Sequence, residues 1–212
     1  MKITRYENAI FGLRPIIEAI KAGKEIDTLF IQKGLKNELF QELWQLVKLQ
    51  KVNYKHVPVE KMNRLTKKNH QGVFAFISPI DFYNIEDVIP NIYEDGKSPL
   101  ILVLDRITDV RNFGAIARTA ECSNVDCIIV PEQNSAAINS DAMKTSSGAL
   151  NNIKICRTWN LKMTLQILKD SGIQIVSCTE KTNNEIYSVN YQIPTAIILG
   201  SEENGISNEF LK

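Results

Sequence analysis

Asn112, Gly114 and Arg118 lie in the run Asp105-Arg106-Ile107-Thr108-Asp109-Val110-Arg111-Asn112-Phe113-Gly114-Ala115-Ile116-Ala117-Arg118, directly after the apolar stretch Leu100-Ile101-Leu102-Val103-Leu104. The apolar stretch reads as a buried strand and the polar turn opens a helix. Asn112 and Arg118 therefore stand at a strand-to-helix junction, where α/β proteins gather ligands. An arginine held there suits work on phosphate or hydroxyl groups. No P-loop or GxGxxG fingerprint is present, which removes a nucleotide-dependent dehydrogenase. Two plainer readings stay open: Arg118 as a solvated residue on an amphipathic helix with Ile116, Ala117 and Ala120, and Asn112 as a helix N-cap in competition with Asp109.

Two further clusters sit downstream. One is Ser135-Ala136-x-x-Asn139 followed by Lys144-Thr145-Ser146-Ser147-Gly148-Ala149. The other is Ile197-Ile198-Leu199-Gly200-Ser201-Glu202-Glu203-Asn204-Gly205-Ile206. Gly200 and Gly205 around four polar residues offer free amides in a turn after a buried strand. The four cysteines, Cys122, Cys127, Cys156 and Cys178, form no CxxC pair, and both histidines, His56 and His70, lie well upstream. Zinc-site spacing is absent, and reduced structural thiols are expected.

The elements that must position these residues are α/β throughout. In the front segment, Leu13, Ile16, Ile17 and Ile20 form one helical stripe with Pro15 in its first turn. Strands are expected at 26–31, 54–57 and 73–77, an amphipathic helix over Leu39, Leu43, Leu46 and Val47, and a helix beginning at Pro58. Residues 78–99 hold three prolines, five acidic residues and Gly96. They read as a linker over 79–97 with one short helix over Ile85, Val88, Ile89 and Ile92, and the domain boundary is placed near 97. The back segment repeats β and α more regularly, with strands expected at 100–104, 126–130, 153–156, 173–178 and 195–199 and helices at 112–123, 139–147 and 160–170. Such continuous apolar strands imply a parallel sheet covered on both faces.

The 212 residues allow one large domain or two small ones. Their apolar runs reach about seven residues, short of the roughly 20 of a membrane helix. No apolar signal region opens the chain, so a cytoplasmic location and no membrane partner are expected. The net charge of +1 conceals an asymmetry: residues 1–97 carry 15 Lys/Arg against 12 Asp/Glu, and residues 98–212 carry 10 against 12. A mildly basic front half permits contact with nucleic acid without demanding it.

Taken in order, the three clusters resemble the SpoU (TrmH-type) RNA ribose 2′-O-methyltransferases of the SPOUT class. Ile10-Phe11-Gly12-Leu13 and Asn69-His70-Gln71-Gly72-Val73 resemble the RNA-binding module of the bacterial 23S rRNA guanosine-2′-O-methyltransferases. The resemblance implies a small N-terminal α/β RNA-binding module over 1–78 and a parallel-sheet methyltransferase domain over 98–212 with a C-terminal trefoil knot, a rare exception to the un-knotted rule. It implies S-adenosylmethionine as cofactor, RNA (23S rRNA first) as partner, a homodimer, and no metal.

Residue by residue, the resemblance makes Arg118 the catalytic arginine, with Asn112 helping to position it or the RNA and Glu202 holding the loop geometry or orienting the arginine. Leu199 and Gly200, with Cys178, Thr179 and Glu180 at the end of another strand, are the cofactor contacts. Arg5, Arg14, Arg64, Lys67, Lys68, Asn69, His70 and Gln71 are candidate RNA contacts. A tRNA ribose methyltransferase and a non-catalytic RNA-binding or ribosome-assembly protein of the same fold are the alternatives. The family continues past the point matching Lys212 into a third motif that completes the knot. The natural protein is therefore expected to be longer, with an intact mass above 24.0 kDa.

Overall fold

Leu13, Ile16, Ile17 and Ile20 recur at helical spacing, and all four are buried in a computed structural model that describes residues 8–50 and 52–211. The chain divides into two units, Met1–Asp81 and Phe82–Lys212.

The first unit runs β1 (Ala9–Phe11), α1 (Leu13–Lys21), β2 (Ile26–Gln32), α2 (Glu38–Leu49), β3 (Tyr54–Val57), α3 (Val59–Leu65) and β4 (Val73–Ile77). Its sheet order is β1-β4-β2-β3, antiparallel except for the β2/β3 pair. The apolar stripes of α1 and α2 form one core with Leu29, Ile31, Val73 and Ala75. Val57, Met62 and Phe74 form a second, smaller core with Phe11, Phe30 and Phe76 packed against it. Strand β1 was not expected from the sequence. Three residues carry too little pattern by themselves, and β4 supplies the ladder that makes them a strand.

The second unit runs β5 (Phe82–Tyr83), α4 (Ile85–Glu94), β6 (Leu100–Asp105), α5 (Val110–Cys122), β7 (Cys127–Pro131), α6 (Ser140–Thr145), β8 (Lys154–Thr158), α7 (Leu161–Asp170), β9 (Gln174–Ser177) and β10 (Thr195–Gly200). Its six strands are ordered β5-β8-β7-β6-β10-β9, and every neighbouring pair is parallel. Ile101, Val103, Ile129, Ala196 and Ile198 share a core with residues of α4 and α7. The alternate residues Leu102, Leu104, Ile128, Val130 and Ile155 are buried as well, so both faces of the sheet are covered. Residues 82–94, read from the sequence as linker carrying one short helix, are β5 and α4 of this unit. Ile85, Val88, Ile89 and Ile92 bury their side chains in its core, and β5 pairs with β8.

Asp109 caps α5 by accepting from the amides of Arg111 and Asn112, so the capping role falls to Asp109 rather than Asn112. Gly114, in the middle of α5, is where α6 approaches. A Cβ there would overlap Thr145 Oγ1 and stand 2.7 Å from Thr145 Cβ and 3.1 Å from the Ala142 carbonyl oxygen. Rotating the hydroxyl cannot relieve the contact with Thr145 Cβ. Alanine gains about 1 kcal/mol in helix propensity over glycine, while overpacking a close contact costs about 1–3 kcal/mol. Gly114→Ala is therefore expected to destabilise the protein. Thermal unfolding followed by circular dichroism should show a lower midpoint, and a raised one would refute the packing role.

Candidate active site at the carboxyl end of the parallel sheet

The carboxyl ends of β6, β9 and β10 lie side by side, because Gly200 pairs with Asp105 and Ile198 with Ser177. This is the edge at which open parallel sheets bind ligands. The five residues read as cofactor contacts gather here: Leu199 and Gly200 close β10, and Cys178, Thr179 and Glu180 follow β9. The Cys178 amide donates to the Ile198 carbonyl (3.0 Å), and Thr179 Oγ1 accepts from the Lys181 amide at 3.2 Å, which turns the chain.

Beyond Gly200 the chain doubles back on itself. Ser201 and Gly205 exchange both backbone hydrogen bonds, at 3.1 and 2.8 Å. A Cβ at Gly200 would overlap the backbone of Gly205 and Ile206, whereas one at Gly205, whose φ is +61°, would meet nothing within 4 Å. Gly200 is therefore required for close approach and Gly205 for its left-handed turn. The turn exposes Glu202, Glu203 and Asn204, and the Glu202 and Glu203 amides have no acceptor among the described residues.

Asn112 Nδ2 donates to Glu202 Oε1 at 2.7 Å, joining α5 to this turn across 90 residues of sequence. The bond orients the carboxylate and holds the turn against the start of α5. Arg118 is exposed further along α5 and forms no hydrogen bond or ion pair among the described residues. Its six-residue offset from Asn112 amounts to about 9 Å along the helix axis. The structure thus unites Asn112 with Glu202 and leaves the Arg118 guanidinium without a polar partner among the described residues.

The middle motif builds a helix cap and a turn. Asn139 accepts from the Asp141 and Ala142 amides as the cap of α6, and Ser147 and Gly148 turn the chain with φ of +53° and +92°. The four cysteines are free thiols, Cys127 and Cys156 buried and Cys122 and Cys178 exposed. The Cys127 thiol is held well above its ordinary pKa, first by its hydrogen bond with Cys156 and then by burial. Cys178 is at the surface, yet partial desolvation of its sulfur raises its thiol pKa too. Among the described residues no cluster of His, Cys, Asp or Glu could hold a metal ion, and no helix is long and apolar enough to cross a membrane.

In the first unit, the motif before β4 is occupied by its own loop. Gln71 Oε1 accepts from the Leu13 amide at 3.0 Å, acting as the cap that Gly12 cannot supply. His70 Nδ1 accepts from the Gly72 amide at 2.9 Å, so in the neutral ring the proton sits on Nε2, which faces Asn63 Oδ1 at 3.0 Å. Gly72, at φ +79°, passes so close to Leu35 that a Cβ would lie 2.7 Å from its Cδ2. Arg14, Arg64, Lys67 and Asn69 remain exposed, while Lys68 Nζ lies 5.8 Å from the centre of the Phe11 ring. Arg5 lies outside the described residues. The sequence reading missed Asp105 and Arg106, which hold the Glu202 turn; a buried acid ending an apolar strand was their one visible signal.

Comparison with known proteins bears on this site. The SpoU rRNA Methylase family matches residues 99–212, and the family described as RNA 2′-O ribose methyltransferase substrate binding matches residues 9–83. A protein of Staphylococcus saprophyticus assigned to the TrmH family of tRNA/rRNA methyltransferases is 32% identical over 201 residues, covering 95% of this chain and 81% of its own. A Staphylococcus epidermidis protein of the same assignment is 30% identical over 198 residues, covering 93% and 80%. Among solved structures, the SpoU methyltransferase AviRb of Streptomyces viridochromogenes, in complex with AdoMet, superposes with a TM-score of 0.55 at 19% identity, covering 96% of this chain and 76% of its own. An AdoMet-bound rRNA methyltransferase of Sinorhizobium meliloti gives 0.56 at 20% identity, covering 96% and 74%. At these identities the two structures establish the fold, an α/β SPOUT architecture. With one family spanning residues 99–212 and a relative 32% identical over 95% of this chain, the protein belongs to the SpoU rRNA methylase family.

Proposed function

We propose that this protein transfers a methyl group from S-adenosylmethionine to a ribose 2′-hydroxyl of RNA, with a guanosine of 23S rRNA as the leading target and a homodimer as the working unit. The observation that carries the reading is the 2.7 Å bond from Asn112 to Glu202, which brings two separate motifs together at the carboxyl end of a parallel sheet. The front unit supports RNA as substrate, since residues 9–83 match a substrate-binding family of RNA 2′-O ribose methyltransferases.

The residues present fit the cofactor. The turn closed over Gly200 offers the free amides of Glu202 and Glu203, and Cys178 to Glu180 flank it from the next strand. When bound, S-adenosylmethionine supplies a methyl group already activated by a sulfonium. What the protein must add is in-line alignment and help in removing the hydroxyl proton. A guanidinium offers only donors and no acceptor, so Arg118 serves as a cation rather than as a free base. Its role is to stabilise negative charge developing on the 2′-oxygen and to hold the adjacent phosphate by its planar fork. Asn112 and Glu202 hold the turn in place beside α5. Arg14, Arg64, Lys67, Lys68 and Asn69 contact the RNA, the cations at phosphates. Gln71 and His70 act by shaping the loop that presents them.

The test is transfer of labelled methyl to unmodified 23S rRNA and, in parallel, to tRNA, followed by digestion and identification of the nucleoside. A 2′-O-methylguanosine from rRNA is the expected product. Labelling of tRNA alone would move the target to tRNA. No transfer to either by folded protein would overturn the enzymatic reading in favour of RNA binding.

A further inference from the structure

Asp105 ends β6 as a nearly fully buried carboxylate, only 3% exposed. Its Oδ2 accepts from the Ser207 amide at 2.6 Å, 102 residues away in sequence. Its Oδ1 faces Arg106 Nε at 3.3 Å, an ion pair without an aligned hydrogen bond, since that Nε is buried and makes none. Arg106 in turn donates from Nη2 to the Gly205 carbonyl at 3.2 Å. Its backbone sits at φ +60°, a region a non-glycine residue with a long side chain rarely occupies. These contacts grip the Ser201–Gly205 turn at its closing residue and again two residues later.

A neutral residue could close such a turn without burying a charge, and glycine could take the backbone conformation without strain. Both unfavourable choices occur together at the mouth of the candidate site, where strained and charged groups are held only if the surroundings over-determine them. Their shared effect is to fix Gly205 and Ser207 to the end of β6. The segment between Gly200 and Gly205, which carries Glu202 to Asn112, then has little freedom to open.

We infer that Asp105 and Arg106 are positioning residues that latch the Glu202 turn closed in its cofactor-binding shape. The inference rests on the methyltransferase reading above and deepens it. Neither side chain touches Asn112 or Arg118 through any hydrogen bond or ion pair among the described residues, so they act through the turn.

The decisive variant is Arg106→Gly, which removes the guanidinium while relieving the backbone rather than straining it. Measured in the full chain, its dissociation constant for S-adenosylmethionine by calorimetry should rise at least about tenfold, the scale of one lost charge-assisted hydrogen bond. The KM for S-adenosylmethionine should rise in parallel, with the KM for RNA within about twofold and the variant still folded at the assay temperature, its thermal midpoint lowered by the loss of the Asp105 partner. Arg106→Lys, which keeps a cation facing Asp105, should recover part of the lost affinity. Cofactor binding by Arg106→Gly within about twofold of wild type would overturn the inference alone. So would unfolding of that variant, or an equal rise in both KM values, because each marks a general structural role. Wild-type protein that binds no S-adenosylmethionine would overturn the methyltransferase reading, and the latch with it.

Discussion

Replacing Arg118 by alanine is expected to lower the rate of methyl transfer about 100- to 1,000-fold, the range found when one preorganised donor to a developing oxyanion is removed. Affinity for S-adenosylmethionine and thermal stability should hardly change. The separation follows from the surroundings of the residue. Arg118 is exposed and forms no hydrogen bond or ion pair among the described residues, so no polar folded-state contact is lost on truncation. The ribose hydroxyl, by contrast, loses the only strong cation proposed to face it. Arg118→Lys should fall between the two, since lysine keeps the charge but not the planar fork. Single-turnover methylation, with cofactor binding measured separately, reads both quantities. A variant as active as wild type would remove Arg118 from the chemistry and return it to the role of a solvated helix residue.

Gly200→Ala is expected to be the most damaging single-atom change in the second unit. The added methyl would meet the backbone of Gly205 and Ile206, not the end of a flexible side chain, so relief requires the Ser201–Gly205 bridge to open. Forcing a group into such a contact costs about 1–3 kcal/mol. Opening would release Gly205 from Arg106 and shift Glu202 away from Asn112. Both stability and cofactor affinity should therefore fall together, in contrast to Arg118→Ala. Calorimetric titration with S-adenosylmethionine and a thermal melt on the same sample distinguish the two patterns. Retention of full affinity would mean that the turn is not part of the cofactor site.

Much of the fold was legible because its strands are uniform apolar runs and its helices carry clear stripes. Leu100–Leu104 could be little other than a buried strand, and Leu13, Ile16, Ile17 and Ile20 could face only a core. The short elements β1 and β5 were not legible, since two or three residues become a strand only when a neighbour offers a ladder. The stretch after residue 78 misled for a related reason. Its prolines and acids suggested a linker, while its four aliphatics bury α4 in the second unit.

At the site, residue types announced themselves and their partnerships did not. Asn112, Gly114, Arg118, Gly200 and Glu202 stand out in the sequence because a polar junction after a buried strand, or a glycine in mid-helix, needs a reason. Local rules also allowed Asp109 to take the cap and so freed Asn112 for another task. The α/β class, the strand-to-helix junction and the set of groups available for chemistry are local properties, because periodicity and turn chemistry act over a few residues. It took the folded chain to pair Gln71 with a helix start 58 residues away, Asn112 with Glu202 across 90, and Asp105 with Ser207 across 102. Those pairings depend on strand order and register in the two sheets. Burial of each sheet as a whole sets both, and neither leaves a mark on any one segment.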